Sequence, residues 1–475
     1  MSLQNKQIDY SVQQMPVIPV YKFSKLYQQT GGQRVNIVTG NSESIFELPA
    51  RVMNFSRSVL RYTSTPQAGA NTYDRNWMFA DVMSHIRQIQ VYTRGGTYLC
   101  DINNVDKMSS VTLKAETKLE DSEVVDVGTA GELDDTFGAT RSTELNVTTE
   151  TQTAATTPDV NTFGGYVGDL VTSVSDYGNP RYGGENATTN AHEPKYLKSG
   201  VGQAQTPVMN MNVPLSKFKN SILSIDKDFF FNEVVLLKIT WNDIQSFGFS
   251  SEDSFDPSAG TLRDLVINAG NGVVLSNLAL YLAIEHNPVI TTGLIQTVMA
   301  GQFVTNIPYV YQFKHSGNAT TSQNITLRLN RAHGKFLKKI YHILYDPTEA
   351  SATRYLHSNL GRDIVTRYHT EVDNVRRQEF DVTIADNDDW VIHKDALKGT
   401  LLNRMETYRY NWFILDKFDD EICKSEDGCV DSGMSLDFER KWDLLASTSA
   451  VAHNHYTFAV VSRSMAITPA GVFVQ

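Results

Sequence analysis

The sequence predicts an all-β protein, and three observations predict it. Apolar and polar residues alternate at period two through many short segments, which puts the apolar side chains on one face of a strand. Links such as "TRGGT", "NAGNG" and "HSGNAT" punctuate these segments with turn-forming Gly and Asn. Helical periodicity is confined to two short stretches. The 475 residues set a prior of about three domains, and two β domains of about 200–250 residues each fit equally well. At 41% hydrophobic and 20% charged residues, the chain has the composition to build real cores.

Taken in chain order, the first helical stretch is "NVDKMSSVTLKAETKLEDSE" (104–123), enough for one or two turns. Residues 121–206 are crowded with Thr, Ser, Gly, Asn and Asp and show weak strand periodicity. Phe163, Tyr166, Tyr177, Tyr182 and Tyr196 favour an ordered surface excursion there, with disorder as the alternative. "EVVLLKITW" carries Val235, Leu237, Ile239 and Trp241 on one side. Val234 and Leu236 on the other predict a strand buried on both faces. "NLALYLAIE" aligns Leu278, Leu280, Leu282 and Ile284. "YVYQFKH" sets Tyr309, Tyr311 and Phe313 opposite Val310, Gln312 and Lys314. "NITLRLN" aligns Ile325, Leu327 and Leu329. A second short helix is expected near Lys394–Leu402, and "YRYNWFILD" alternates Tyr408, Tyr410, Trp412 and Ile414 with Arg409, Asn411, Phe413 and Leu415. A faint internal echo runs through the chain. "NSESIFELP", "SVLRYTST" and "HIRQIQVYTRGG" are followed in the second half by "PYVYQFKH", "NITLRLNR" and "FLKKIYHILYD". Two diverged copies of one β-sandwich would leave such a trace.

The search for chemistry yields little. There is no GxxxxGK[ST], GxGxxG or HExxH, and no G-x-S-x-G elbow. The acidic runs "ADNDDW" (385–390) and "DKFDDEICKSEDG" (416–428) lack the D-x-[DN]-x-[DN]-G order of a calcium loop and read as solvated acids. His453 and His455 share a strand face and could reach one metal. Zinc wants further ligands, and none is near in sequence. The core face of their strand is set by Tyr456, Phe458 and Val460, opposite the histidines, so a structural or interface role is expected. If the pair matters, pH-sensitive assembly fits better than metal chemistry. Cys100, Cys423 and Cys429 are an odd set with no zinc spacing, expected as thiols; a Cys423–Cys429 bridge would require favourable geometry. No catalytic, cofactor or metal site emerges.

Formal charge is −11, and the first thirty residues hold only Lys6, Lys22 and Lys25. That speaks against a protein whose main work is coating nucleic acid. No secretory h-region opens the chain and no apolar run approaches the ~20 residues of a membrane span, so a soluble, intracellular chain is expected.

Several stretches together resemble double jelly-roll viral major capsid proteins. "IFELPARVMNFSRSVLRYTST" and "MFADVMSHIRQIQVYTRGGTYLCDINNVDKM" are similar to the opening of that family's first jelly roll, and "MNVPLSKFKNSILSIDKDFFFNEVVLLKITW" to its close. "DALKGTLLNRMETYRYNWFILDKF", "DSGMSLDFERKWDLL" and "HNHYTFAVVSRSMAITPAGVFVQ" resemble the late strands of the second. The resemblance covers most of residues 35–475 as a pattern of strands and spacings. The nearest likeness is to capsids of small double-stranded DNA viruses of eukaryotes, of polinton-like virus or virophage type.

The resemblance implies two consecutive eight-stranded antiparallel jelly-roll β-sandwiches with short helices and long loops. It implies an N-terminal arm (1–34), a first jelly roll (35–242, with the 121–206 loop) and a second (243–475). It further implies a homotrimer with a six-sided footprint tiling an icosahedral virion shell. The partners would be neighbouring capsomers and minor capsid and penton proteins, with an internal membrane or host receptor as further candidates and no sequence-specific nucleic-acid contact. The segment "MPVIPVYKFSKLYQQTGG" is expected to dock on an adjacent trimer or minor protein. Two other readings stay open. One is a glycan- or receptor-binding β protein using Tyr166, Tyr177 and Tyr182. The other is a β-sandwich glycoside hydrolase with two carboxylates far apart in sequence.

Overall fold

A computed structural model describes residues 18–29, 32–37, 42–66, 76–79, 82–116, 185–186, 191–192, 209–242, 248–251, 263–264, 273–316, 336–345, 365–372, 375–376, 379–383, 386, 388–394, 397–398, 400, 414–417, 430–431, 438–444 and 454–475. The strands in the first part are β1 (Tyr21–Leu26), β2 (Val35–Ile37), β3 (Glu43–Leu48), β4 (Val52–Pro66), β5 (Asn76–Phe79), β6 (Ile86–Thr93), β7 (Tyr98–Asn103), β8 (Glu185–Asn186), β9 (Ala191–His192), β10 (Met209–Pro214), β11 (Asp228–Phe230), β12 (Val235–Trp241), β13 (Gly248–Ser251), β14 (Arg263–Asp264) and β15 (Val273–Glu285). The second part contributes β16 (Phe303–Ser316), β17 (Phe336–Tyr345), β18 (Val365–Val372), β19 (Val375–Arg376), β20 (Val382–Thr383), β21 (Ile414–Lys417), β22 (Val430–Asp431), β23 (Phe438–Leu444), β24 (Asn454–Thr468) and β25 (Gly471–Val474). Among the described residues three α-helices accompany them: α1 (Val105–Glu116), α2 (Pro288–Met299) and α3 (Asp388–His393).

The wiring identifies the fold. In the first sandwich one sheet runs β1-β15-β4-β10 and the other β3-β12-β6-β7, all antiparallel. The chain crosses between the sheets as it goes: β3, then β4, then β6 and β7, then β10, β12 and β15. That is the Greek-key path of a jelly roll. The second part repeats it. One sheet runs β16-β24-β17-β21, and β18 of the other pairs with β23 and β20. By position, β16 matches β1, β17 matches β4, β18 matches β6 and β24 matches β15. The expected strand "NITLRLN" lies outside the described residues. The echo in the sequence set "PYVYQFKH" against β3, whereas β16 takes the position of β1, because "YKFSKL" is the first strand of the first half.

Strand β15 lies beyond the expected boundary at residue 242, yet its partners are β1, β2 and β4 of the first sandwich. Strand β1 lies within the expected N-terminal arm, yet it forms the edge of the same sheet. Two register shifts bend β15 against β4, at Ser276/Ala279 and Tyr281/Ala283. Asn277 occupies the first with φ 53°, a left-handed conformation that Asn tolerates, and donates to Thr63 Oγ1 at 3.3 Å.

The first core packs between the two sheets. Trp241, Tyr62 and Phe46 are among its largest fully buried side chains. Tyr62 meets Trp241 edge-on at 5.1 Å, Trp241 Nε1 donates to Ser44 Oγ at 2.8 Å, and Tyr62 Oη lies 2.7 Å from His85 Nδ1. Trp241 and Tyr62 thus bury their rings and satisfy their polar tips. In β12 the buried set is the expected Val235, Leu237, Ile239 and Trp241. Leu236 is only half-buried, so the second face is covered less than the sequence suggested. Helix α1 is longer than expected, at twelve residues, and buries Val105, Met108, Val111 and Ala115.

Helix α2 joins the two sandwiches. Asn287 caps it, accepting from Val289 N at 2.9 Å, and Pro288 opens it, a residue pair well suited to start a helix. The second expected helix lies earlier than Lys394–Leu402, at Asp388–His393, followed by turns in which Leu397 N donates to His393 O and Thr400 N to Leu397 O.

Candidate functional site

The sequence singled out the His453/His455 pair. His453 lies outside the described residues. His455 belongs to the central strand β24, where its backbone pairs with His315 on one side and Leu344 on the other. The face that alternation assigns to Thr457, Ala459 and Val461 is not turned away from a core: all three are buried. Ala459 and Val461 pack with Leu337 and Ile340 beneath Tyr309, Tyr311 and Phe313, while Tyr456, Phe458 and Val460 join the large core on the other side. Small Thr and Ala residues on that face hid its burial from the alternation pattern. Next to it the buried His342 places Nδ1 2.7 Å from Thr457 Oγ1.

Cys100 is buried and free, and burial pushes its thiol pKa up, away from reactivity. Cys423, Cys429, Tyr166, Tyr177 and Tyr182 lie outside the described residues. The "ADNDDW" run is not simply solvated. Asp389 is buried, and Asp388 Oδ2 accepts from Thr383 N at 3.0 Å, so these acids start α3. Asp416 of the other run is buried in β21. Among the described residues, no group of three His, Cys, Asp or Glu side chains is arranged to hold a metal ion.

What the structure does build is a junction between the sandwiches. One apolar cluster runs without a break from α1 (Val105, Met108, Val111) to Tyr341, Ile343, Tyr456, Phe458 and Val460 of the second sandwich. At the end of α1 the Glu116 carboxylate accepts from Lys339 Nζ at 2.7 Å, from Asn220 Nδ2 at 2.7 Å and from the Tyr341 hydroxyl. Glu116 and Lys339 are only 18% and 19% exposed. Burial alone would raise the Glu116 pKa; Lys339, Tyr341 and Asn220 outweigh it and hold the carboxyl below its ordinary range. Elsewhere along the seam Lys227 Nζ donates to Thr305 Oγ1, Asn232 Nδ2 to Pro469 O, and Val472 N to Glu233 Oε1 at 2.7 Å. Phe229 meets Phe303 edge-on at 6.3 Å. The sequence reading missed this junction entirely; its partners are up to 239 residues apart.

A second feature gathers where β1 starts, β15 ends and α2 begins. Ile18 (65% exposed) accepts from Asn287 Nδ2 at 2.9 Å, which sets it beside Val289 (64% exposed). A separate exposed apolar group lies on the second sandwich, where Val304, Ala466 and Phe473 are cross-strand neighbours on β16, β24 and β25 and Val304 and Phe473 are more than half exposed. Helix α2 carries no charged side chain. Apolar surface of this kind marks an interaction face. Strand β1 is held firmly beside it. Tyr21 Oη donates to Asp228 Oδ1 at 2.8 Å, and Asn54 Nδ2 donates to Asp226 Oδ1 and Asp228 Oδ1. Burial, with the Asp228 bond, pushes the Tyr21 phenol up to about 12, and burial raises Asp228 as well. Arg57, paired with Asp226 at 2.9 Å, holds that carboxyl low.

No protein-family model matches the chain, and no curated protein matches it. Solved structures do. The mavirus major capsid protein superposes with a TM-score of 0.51 at 9% identity, over 95% of this chain and 90% of that one. A chain of the Sputnik virophage, determined by cryo-EM, superposes with a TM-score of 0.51 at 8% identity, over 94% of this chain and 89% of that one. The likeness extends through both sandwiches, and the fold is a double jelly roll.

Proposed function

We propose that the chain is a structural major capsid protein. It trimerises into pseudo-hexameric capsomers, and these tile an icosahedral shell. One observation carries the reading: a single chain holds two jelly rolls of the same wiring, locked side by side by a continuous core. Three such chains around a threefold axis present six similar sandwiches, a footprint that tiles a surface as hexagons do. The superposition on the mavirus capsid protein along nearly the whole chain supports it.

The seam between the sandwiches suits this role. A capsomer built from loosely linked domains would lose its outline, since domains joined by small polar interfaces move relative to one another. The two exposed apolar groups, Ile18 with Val289 and Val304 with Phe473, are surface that neighbouring capsomers, minor capsid proteins or penton proteins would cover. We place the boundary of the first jelly roll after Glu285, with α2 as the link and the second beginning at Phe303.

The test is the mass of the purified protein in solution with negative-stain images. Three times the chain mass and a hexagonal outline, or shells, are expected. A monomer at every concentration, with no hexagonal particles, overturns the proposal.

A further inference from the structure

Two sheet edges face each other across the seam. Strand β7 ends the order β3-β12-β6-β7, and β16 begins the order β16-β24-β17-β21. Beside them opens a cleft of about 400 Å³, within the usual size of a small-molecule site. It belongs neither to the Glu116 junction nor to the apolar surface around α2.

The lining mixes three kinds of group. Tyr309 and Tyr311 lie with ring centroids 5.1 Å apart and planes inclined by 57°, and both line the cleft. Asp101 supplies an acceptor whose position is fixed: Gln88 Nε2 and Gln90 Nε2 both donate to its Oδ1, at 2.7 and 3.1 Å. Gln312 lines the cleft as well, and its Oε1 is buried with no hydrogen-bond partner among the described residues. Arg463 lies behind the lining, its guanidinium 4.5 Å from the centre of the Tyr309 ring and its Nε likewise buried without a hydrogen-bond partner among the described residues. Buried polar atoms in folded proteins are nearly always satisfied, by protein, water or ligand. Asn103 and Asn104 add amide groups at the rim.

We propose that this cleft binds a pyranose sugar. A sugar ring has an apolar C–H face that lies against an aromatic ring, and hydroxyls that both donate and accept. The cleft offers aromatic faces, a fixed carboxylate, amides of both polarities and cations at Arg87 and Lys314. A phosphate would be opposed by Asp101. A purely apolar ligand would leave Gln312 Oε1 without a partner and would cover the Asp101 carboxylate with apolar surface, which is costly. Burial, and Asp101 beside it, keep the Tyr309 phenol protonated, so it donates as well as accepts.

Saturation-transfer NMR and titration calorimetry on the full chain provide the test, with methyl β-galactoside, methyl α-mannoside and N-acetylglucosamine as probes. At least one should bind saturably with a millimolar dissociation constant. Tyr311→Ala and Asp101→Asn should each weaken it about tenfold or more. Asn103 is exposed at the rim, so Asn103→Ala leaves the fold intact and should weaken binding about threefold or more. No saturable binding of any probe up to about 100 mM overturns the proposal, as does binding of unchanged strength in all three variants. The readout needs no shell, so failure here leaves the capsid proposal standing, and failure of assembly leaves this one standing.

Discussion

Replacing Lys339 by Met should destabilise the protein by about 2–3 kcal/mol, for reasons visible in the junction. Removing one partner of a fully buried ion pair costs about 3–5 kcal/mol, because the other charge stays buried without compensation. Here the two side chains keep 18% and 19% of their exposure, and Tyr341 and Asn220 still donate to Glu116, so the lower figure applies. Glu116→Leu should cost a similar amount, since it strands Lys339. The double variant removes both charges and should recover much of the loss. A double-mutant cycle by urea denaturation at neutral pH should then give a coupling energy of about 1–3 kcal/mol. Glu116 has its folded pKa lowered, so its contribution is fully present above the ordinary carboxylate range and is lost as pH falls through the lowered folded value. The coupling should therefore shrink only below about pH 4.3, the ordinary glutamate value. A Lys339→Met variant within about 0.5 kcal/mol of the parent, or a coupling indistinguishable from zero, would refute the idea that this contact fastens the sandwiches together.

Three further outcomes follow from particular residues. Gly471 sits at φ 133°, and a Cβ there would stand 3.2 Å from Glu233 Oε1; Gly471→Ala should cost about 1–3 kcal/mol in the same urea assay. Thr457→Val removes the oxygen that faces the buried His342 Nδ1, and should lower stability by about 1–2 kcal/mol at unchanged side-chain volume. Cys100 should resist alkylation by iodoacetamide in the native protein and react once urea unfolds it, read by peptide mass mapping; rapid modification under native conditions would contradict its burial.

The sequence spoke clearly about which residues face inward and poorly about which strands meet. Alternation in "VLLKITW" marks the buried face of β12 correctly, since a local pattern reports a local fact. Pairing is a different matter. The partners of β15 are β1 and β4, more than two hundred residues earlier, and nothing in "NLALYLAIE" points to them. The same blindness placed β1 in an arm. Helix α2 went unread because "PVITTGLIQTVM" has no charged face to set against its apolar one; the Asn287–Pro288 start was its one local signal. The Glu116–Lys339 contact joins residues 223 apart in sequence, and the cleft between β7 and β16 exists only once two separate sheets are side by side.

The core shared by α1 and the second sandwich also bears on how such a chain came to be. Two sandwiches of one wiring point to an ancestral duplication. Once Tyr456, Phe458 and Val460 had come to rest against the helix of the other copy, neither copy could be deleted without baring that surface to water. A core shared in this way makes each half depend on the other for its burial. A chain cut after Glu285 should therefore yield two insoluble fragments when each is expressed alone.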